Sequence, residues 1–159
     1  MDIVLLHPEI PHNSGAIGRL CVGLGWPLCL IRPLGFTLDE RAIRRAGLDY
    51  WKYLDLHLYD TFEDYLVDRH PAQLCFLSTK GGKSLYDTPL HARSALVFGC
   101  ESSGLPKPYY IQYAHQLAIL PMPGAHARSI NLANAVAIAA YEAFRRTLPG
   151  QTQPHTLKP

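Results

Sequence analysis

A chain of 159 residues, 48% of them apolar, has the size of one domain with a real core and little room for a second. Its net charge of +2 and isoelectric point of about 8.4 fall below the value of about 9 that marks a nucleic-acid-binding domain, so global charge does not decide the partner. No run approaches the roughly 18 uncharged residues of a membrane span, and Met1-Asp2-Ile3-Val4-Leu5-Leu6-His7-Pro8 is too short and too acidic for a secretion signal, so a cytoplasmic protein is expected.

Short apolar blocks bounded by turn residues read as strands at Ile3 to His7, Leu28 to Ile31, Leu56 to Tyr59, Leu74 to Ser78, Leu96 to Gly99 and Gln116 to Leu120. They lack strict alternation and are separated by helical segments. That pattern predicts an α/β fold with a parallel sheet covered on both faces.

After the first strand, Asn13 or Ser14 can cap a helix that carries Ile17, Leu20, Cys21 and Leu24 on one side and stops at Gly25. The glycines at 15, 18, 23 and 25 have the wrong spacing for a dinucleotide-binding Rossmann turn. Asn13 then stands near a helix start with Arg19 about a turn and a half on. These are either an N-cap and a solvated arginine, or two groups of a site.

Asp39 precedes a helical stretch from Arg41 to Ala46 that stops at Gly47. Arg41, Arg44, Arg45 and Lys52 form a basic cluster, read equally as a solvated face or a phosphate-binding patch. Thr61 with Asp64 resembles a capping box ahead of Tyr65, Leu66 and Val67.

Lys80-Gly81-Gly82-Lys83-Ser84 ends like a P-loop, but the glycine required five residues before Gly82 is Leu77. The segment is instead a loop after a strand, either a plain turn or a place where backbone approaches a ligand. Val97-Phe98-Gly99-Cys100-Glu101 sets a carboxylate directly after a buried strand, where open α/β sheets bind ligands. A loop acid that accepts backbone hydrogen bonds fits the same position.

The last strand runs through Leu120-Pro121-Met122 into Arg128-Ser129-Ile130-Asn131, where Ser129 and Asn131 can cap the next helix or face a ligand. That helix, from about Ile130 to Arg146, is apolar nearly all round, which means burial on more than one side. In so small a domain one of those sides suits a partner subunit, so a homodimer is expected. The domain is expected to span 1–148, and residues 149–159 have no apolar period and read as a disordered tail.

Cys21, Cys29, Cys75 and Cys100 lie far apart in apolar segments and read as reduced core thiols. The eight histidines show no metal-ligand spacing, and no metal is assigned. Three strand ends followed by glycine-rich loops, with Arg19, Glu101, Ser129 and Asn131 available, argue for one composite pocket.

Three segments in this order resemble the signature motifs of the SpoU branch of the SPOUT methyltransferase superfamily. They are Asn13-x-Gly15-x-x-x-Arg19, Gly99-x-Glu101-x-x-Gly104-Leu105-Pro106, and Leu120-Pro121-Met122 followed by Arg128-Ser129-Ile130-Asn131-Leu132. The short length, Pro8-Glu9-Ile10-Pro11-x-Asn13, Arg44-Arg45-Ala46-Gly47-Leu48-Asp49-Tyr50 and Tyr141-Glu142-Ala143 are similar to the minimal tRNA (cytidine/uridine-34) 2'-O-methyltransferases. The resemblance implies a C-terminal trefoil knot, a homodimer, a tRNA substrate and S-adenosylmethionine held near Leu77, Gly99, Leu120 and Ser129.

It further implies that Arg19 binds a phosphate or polarises the ribose oxygen, that Ser129 and Asn131 orient the hydroxyl or the cofactor, and that Glu101 holds the loops. For tRNA contact the basic residues Arg44, Arg45, Lys80 and Arg128 are expected, because phosphates dominate nucleic-acid affinity. The same chemistry on another tRNA or ribosomal RNA site, and a non-catalytic RNA-binding module of the same fold, are the alternatives.

Overall fold

Alternate side chains of a strand point to opposite faces, so a strand apolar at every position must be covered on both. The first strand, β1 (Asp2–Leu6), meets that condition: Ile3 and Leu5 belong to one core, and Val4 and Leu6 to the other. The computed structural model describes residues 1–38 and 49–148. In chain order they form β1, α1 (Pro11–Leu24), β2 (Leu28–Ile31), β3 (Leu56–Tyr59), α2 (Phe62–Arg69), β4 (Gln73–Leu77), β5 (Lys83–Ser84), β6 (Ser94–Phe98), α3 (Tyr109–Gln112), β7 (Leu117–Ile119) and α4 (Leu132–Thr147).

The seven strands make one sheet in the order β3-β2-β1-β6-β4-β7-β5, and every pairing is parallel. Val4, for example, lies opposite Cys29 on one side and Val97 on the other. Ile17 and Cys21 of α1 and Val136, Ala139, Ala140 and Ala143 of α4 cover one face. Phe62 and Tyr65 of α2, with Tyr113 after α3, cover the other, where Tyr113 stacks on Phe76 at 4.4 Å between ring centres. The expected α/β architecture is therefore the observed one, and all six strands read in the sequence are present within two residues.

Three details differ from the expectation. Helix α1 begins at Pro11, which needs no N–H partner in a first turn. Asn13 and Ser14 are buried inside it rather than capping it, and the N-cap position is Ile10 with no side-chain cap. Strand β5 was part of the expected loop; two polar residues beside glycines carry no strand pattern, and the pairing exists because β7 lies alongside. Helix α4 begins at Leu132, after Asn131, whose side-chain oxygen accepts from the Asn134 N–H at 3.3 Å.

The capping box is present as read, with Asp64 N–H donating to Thr61 Oγ1 at 3.1 Å and Thr61 N–H to Asp64 Oδ2 at 3.0 Å. The helix expected over 41–46, with Arg44 and Arg45, and the tail over 149–159 lie outside the described residues. No helix among the described residues is long and apolar enough to cross a membrane.

The far end of α4 is tied to the turn after β5. Arg146 donates to the carbonyls of Leu85, Tyr86 and Thr88 and to the Glu142 carboxylate. This explains why an arginine stands at the end of an apolar helix. It closes carbonyls that no strand pairs.

Strand β7 lies between β4 and β5, which are joined by residues 78–82 alone, so that loop must span β7. Gly81 is where the two backbones touch. A Cβ there would lie 2.6 Å from the Ala118 carbonyl carbon, whereas one on Gly82 would meet nothing within 4 Å. Gly81→Ala should destabilise the fold by about 1–3 kcal/mol, as overpacking does, while Gly82→Ala should be neutral or stabilising by about 0.4–1 kcal/mol. Urea denaturation of the two variants checks the pair, and equal midpoints would contradict the crossing.

Candidate active site

The carboxyl ends of β4, β6 and β7 open into a cavity of about 480 Å³, within the roughly 300–1,000 Å³ of small-molecule sites. Its apolar side comes from Leu77 and Phe98 at strand ends, Ile119 and Leu120 around the end of β7, and Ile130 and Leu132 at the entry to α4. Polar groups line the other side. The order of strands reverses at β1, and a crevice at such a reversal is where open parallel sheets bind ligands.

Glu101 leaves β6 beside a tight turn. Cys100 and Gly104 exchange backbone hydrogen bonds of 3.0 and 3.1 Å, and Gly99 is so close that a Cβ there would overlap the Gly104 carbonyl. The turn aims Glu101 back at the start of α1. Its Oε2 accepts from the Glu9 N–H at 2.8 Å, and its Oε1 accepts from the Ile10 N–H at 3.2 Å and from Asn13 Nδ2 at 2.8 Å. Ile10 is the N-cap of α1, so its N–H is among the donors a helix N-terminus leaves without partners, and Glu9 stands just before it.

The bond is returned in the other direction. Ser102 donates its N–H and its hydroxyl to the Glu9 carboxylate at 3.0 and 2.7 Å. With its amide hydrogen given to Glu101, Asn13 presents Oδ1 to Asn131 Nδ2 at 3.0 Å. One continuous chain, Glu101 to Asn13 to Asn131, thus joins three segments far apart in sequence, and Asn131 Oδ1 ends it on the first turn of α4.

Of the residues singled out in the sequence, Glu101, Ser129, Asn131, Leu77, Gly99, Leu120 and Lys80 line this cavity. Arg19 and Arg128 do not, and both are exposed. Six residues along a helix turn the side chain through about 240°, which carries Arg19 away from the direction of Asn13. Its guanidinium lies 5.6 Å from the centre of the Tyr50 ring, and the Tyr50 hydroxyl donates to the Gly15 carbonyl at 2.7 Å. Arg44 and Arg45 are outside the described residues.

Three cysteines are core thiols as read, and burial pushes Cys21 and Cys75 up to about 12 and Cys29 up as well. Cys100 differs. It is half-buried on the cavity wall, where burial pushes its thiol up but hydrogen bonds from Ser103 and Ser102 outweigh that and bring it below the ordinary value. Among the described residues no group of three or more His, Cys, Asp or Glu converges as metal ligands would.

Sequence reading missed the mutual hold of Glu9 and Glu101, the link from Asn13 to Asn131, and Tyr110 on the cavity wall. The signal for the first was present as an acid in each of two loops that follow neighbouring strands. Nothing local announces Tyr110, which reaches the cavity from α3.

A model of the SpoU rRNA methylase family matches residues 1–141. The chain belongs to the SpoU rRNA methylase family. Within it, a Yersinia pestis tRNA (cytidine(34)-2'-O)-methyltransferase is 44% identical over 153 residues, covering 92% of this chain and 93% of the relative. A solved structure described as giving structural insights into 2-OH methylation of C/U34 on tRNA has a TM-score of 0.82 and 45% identity, and covers 91% of this chain and 94% of that one. A SpoU methyltransferase from Streptomyces viridochromogenes, solved with its cofactor AdoMet, shares the fold at a TM-score of 0.78 and 23% identity over 95% of this chain and 59% of that one.

In a SpoU-family site built this way, the Glu101 carboxylate is the common acceptor of three donors. Glu101→Gln should cost about 1–3 kcal/mol, because an amide places hydrogens against donors that then lack partners. Thermal or urea unfolding measures it. An unchanged midpoint would mean that the three contacts do not hold the loops.

Proposed function

We propose that this chain is an S-adenosylmethionine-dependent tRNA 2'-O-methyltransferase that acts on the ribose of nucleotide 34, a cytidine or uridine. The observation that carries this reading is the hydrogen-bonded chain from Glu101 through Asn13 to Asn131 in the wall of a cavity at the strand ends. Family membership and relatives above 40% identity over nearly the whole chain support the choice of reaction and substrate.

The residues present fit the cofactor. Apolar strand ends at Leu77 and Leu120 suit an adenine ring and its methylene groups, and main chain at Leu77, Gly99, Leu120 and Ser129 can meet polar edges. S-adenosylmethionine, when bound, supplies a methyl group already activated by a sulfonium. The protein's remaining task is to position a poorly acidic hydroxyl.

Ser129 and Asn131 orient the ribose hydroxyl. Asn131 is suited to this because its own amide is fixed at both ends. Glu101 keeps the loops in register. The Arg19 guanidinium offers only hydrogen-bond donors, and from its exposed position it grips an RNA phosphate. Arg44, Arg45, Lys80 and Arg128 complete the contact with phosphates.

The passage of β7 beneath the 78–82 loop supports a trefoil knot at the C-terminal end. Exposed Ile138 and Tyr141 on α4, at 40% and 57%, support a homodimer through that helix. A cytoplasmic location follows from a tRNA substrate.

Purified protein with unmodified tRNA and S-adenosylmethionine should produce 2'-O-methylcytidine or 2'-O-methyluridine at position 34, read by nucleoside and fragment mass spectrometry. Methylation confined to another position would overturn the substrate, and no transfer to any RNA would overturn the reaction. Arg19→Ala should lower transfer by about 10- to 100-fold, the scale of one lost hydrogen bond to a charged group, with cofactor affinity by calorimetry unchanged. Sedimentation at micromolar concentration should give twice the chain mass, and Tyr141→Glu should move the protein towards the monomer. A monomeric wild type ends the dimer reading.

A further inference from the structure

Lys80 is the only cationic side chain among the described residues that line the cavity. It is presented, not loose. Its Nζ lies 5.2 Å from the centre of the Tyr110 ring, inside the range of about 6 Å over which an ammonium is attracted to an aromatic face.

The loop beneath it is fixed at several points. The Lys80 N–H donates to Ser78 Oγ at 3.1 Å, and Ser78 Oγ shares a 3.1 Å hydrogen bond with the Tyr110 hydroxyl. The Gly81 N–H donates to the Ser78 carbonyl at 3.3 Å, and Gly81 abuts the Ala118 backbone. Tyr110 therefore holds this short stretch at both ends: its hydroxyl fixes Ser78 and its ring fixes the ammonium.

The charge is also left available. Among the described residues no carboxylate pairs with Lys80. Glu101, the only acid among the described residues of the cavity wall, has both oxygens engaged by the start of α1. Lys80 is exposed at the rim, whereas Leu77, Phe98 and Leu120 beneath are buried. Its charge thus faces what arrives from solvent, not what lies on the apolar floor.

We propose that Lys80 and Tyr110 form a phosphate subsite for the RNA strand entering the cavity, with Lys80 supplying the charge and Tyr110 acting as its positioning residue. A lysine on a fixed loop is a point-charge phosphate ligand. The aromatic support restricts a flexible side chain that would otherwise lose entropy on binding. This rests on the reading that the chain acts on RNA and adds the atoms that first meet the strand.

The test measures tRNA affinity by filter binding between about 50 and 200 mM salt, with S-adenosylmethionine affinity by calorimetry alongside. Lys80→Ala should weaken tRNA binding and make the slope of log affinity against log salt shallower by about 1, leaving cofactor affinity unchanged. Lys80→Arg, which keeps the charge and stacks on the same ring, should keep the wild-type slope. Tyr110→Leu should weaken tRNA binding on its own and do nothing further once Lys80 is alanine.

An unchanged salt slope in Lys80→Ala, or a Tyr110→Leu loss that persists in full without Lys80, overturns the subsite. So does a loss of cofactor affinity with tRNA affinity intact, which would assign Lys80 to the cofactor's carboxylate. Wild-type methylation at a nucleotide other than 34 would sink the proposed function while leaving these binding results in force. The two readings therefore fail separately.

Discussion

A carboxylate at the end of a buried strand must find donors or stay in water, and Glu101 finds them on a segment as much as 92 residues away. Two of those donors are the backbone N–H groups of Glu9 and Ile10, at the entry to α1. The third is Asn13, which is thereby turned so that its oxygen meets Asn131. Remove the carboxylate and the β1–α1 loop loses its anchor, Asn13 loses its orientation, and the first turn of α4 loses its tie to the opposite wall.

The chemistry this permits is one of placement. Asn13, Asn131 and Ser129 are neutral, and Glu101 is surrounded by donors on the side facing α1. The cationic group of the described wall, Lys80, stands at the rim, held against the Tyr110 ring. A polar network whose members are already bonded to one another reorganises little when a ligand enters, which suits a reaction whose electrophile comes activated and whose nucleophile needs only to be aimed.

Much of this was legible in the sequence, and the reasons are specific. Strands buried on both faces carry uninterrupted apolar runs, so β1, β2 and β6 could be read directly, and Thr61 with Asp64 announced α2 by local chemistry alone. Glu101 and Asn131 could be singled out because polar residues at strand ends and helix starts are few. What stayed hidden was what depends on distant partners. Asn13 looks like a cap from its neighbours, yet Pro11 already serves the helix start and the amide is drawn to Glu101. Lys83 and Ser84 have no strand pattern of their own, and Tyr110 faces the cavity only because α3 packs Tyr109 against Phe62 and Phe76. Arg19 shows the opposite case, in which a motif residue is plain in sequence while a single chain directs it away from the cavity.

The placement of β7 between β4 and β5 also bears on how the protein is made. Residues 83 and 84 can pair with nothing until residues 118 and 119 have been synthesised and lie alongside them. The outer edge of the sheet and the Leu120 side of the cavity are therefore completed by contacts distant in sequence, which are slow to form. A nascent chain still lacking its last segments has the first strands of a sheet but no place for a ligand. The cavity wall at Ile119 and Leu120 is missing from any chain that ends before them.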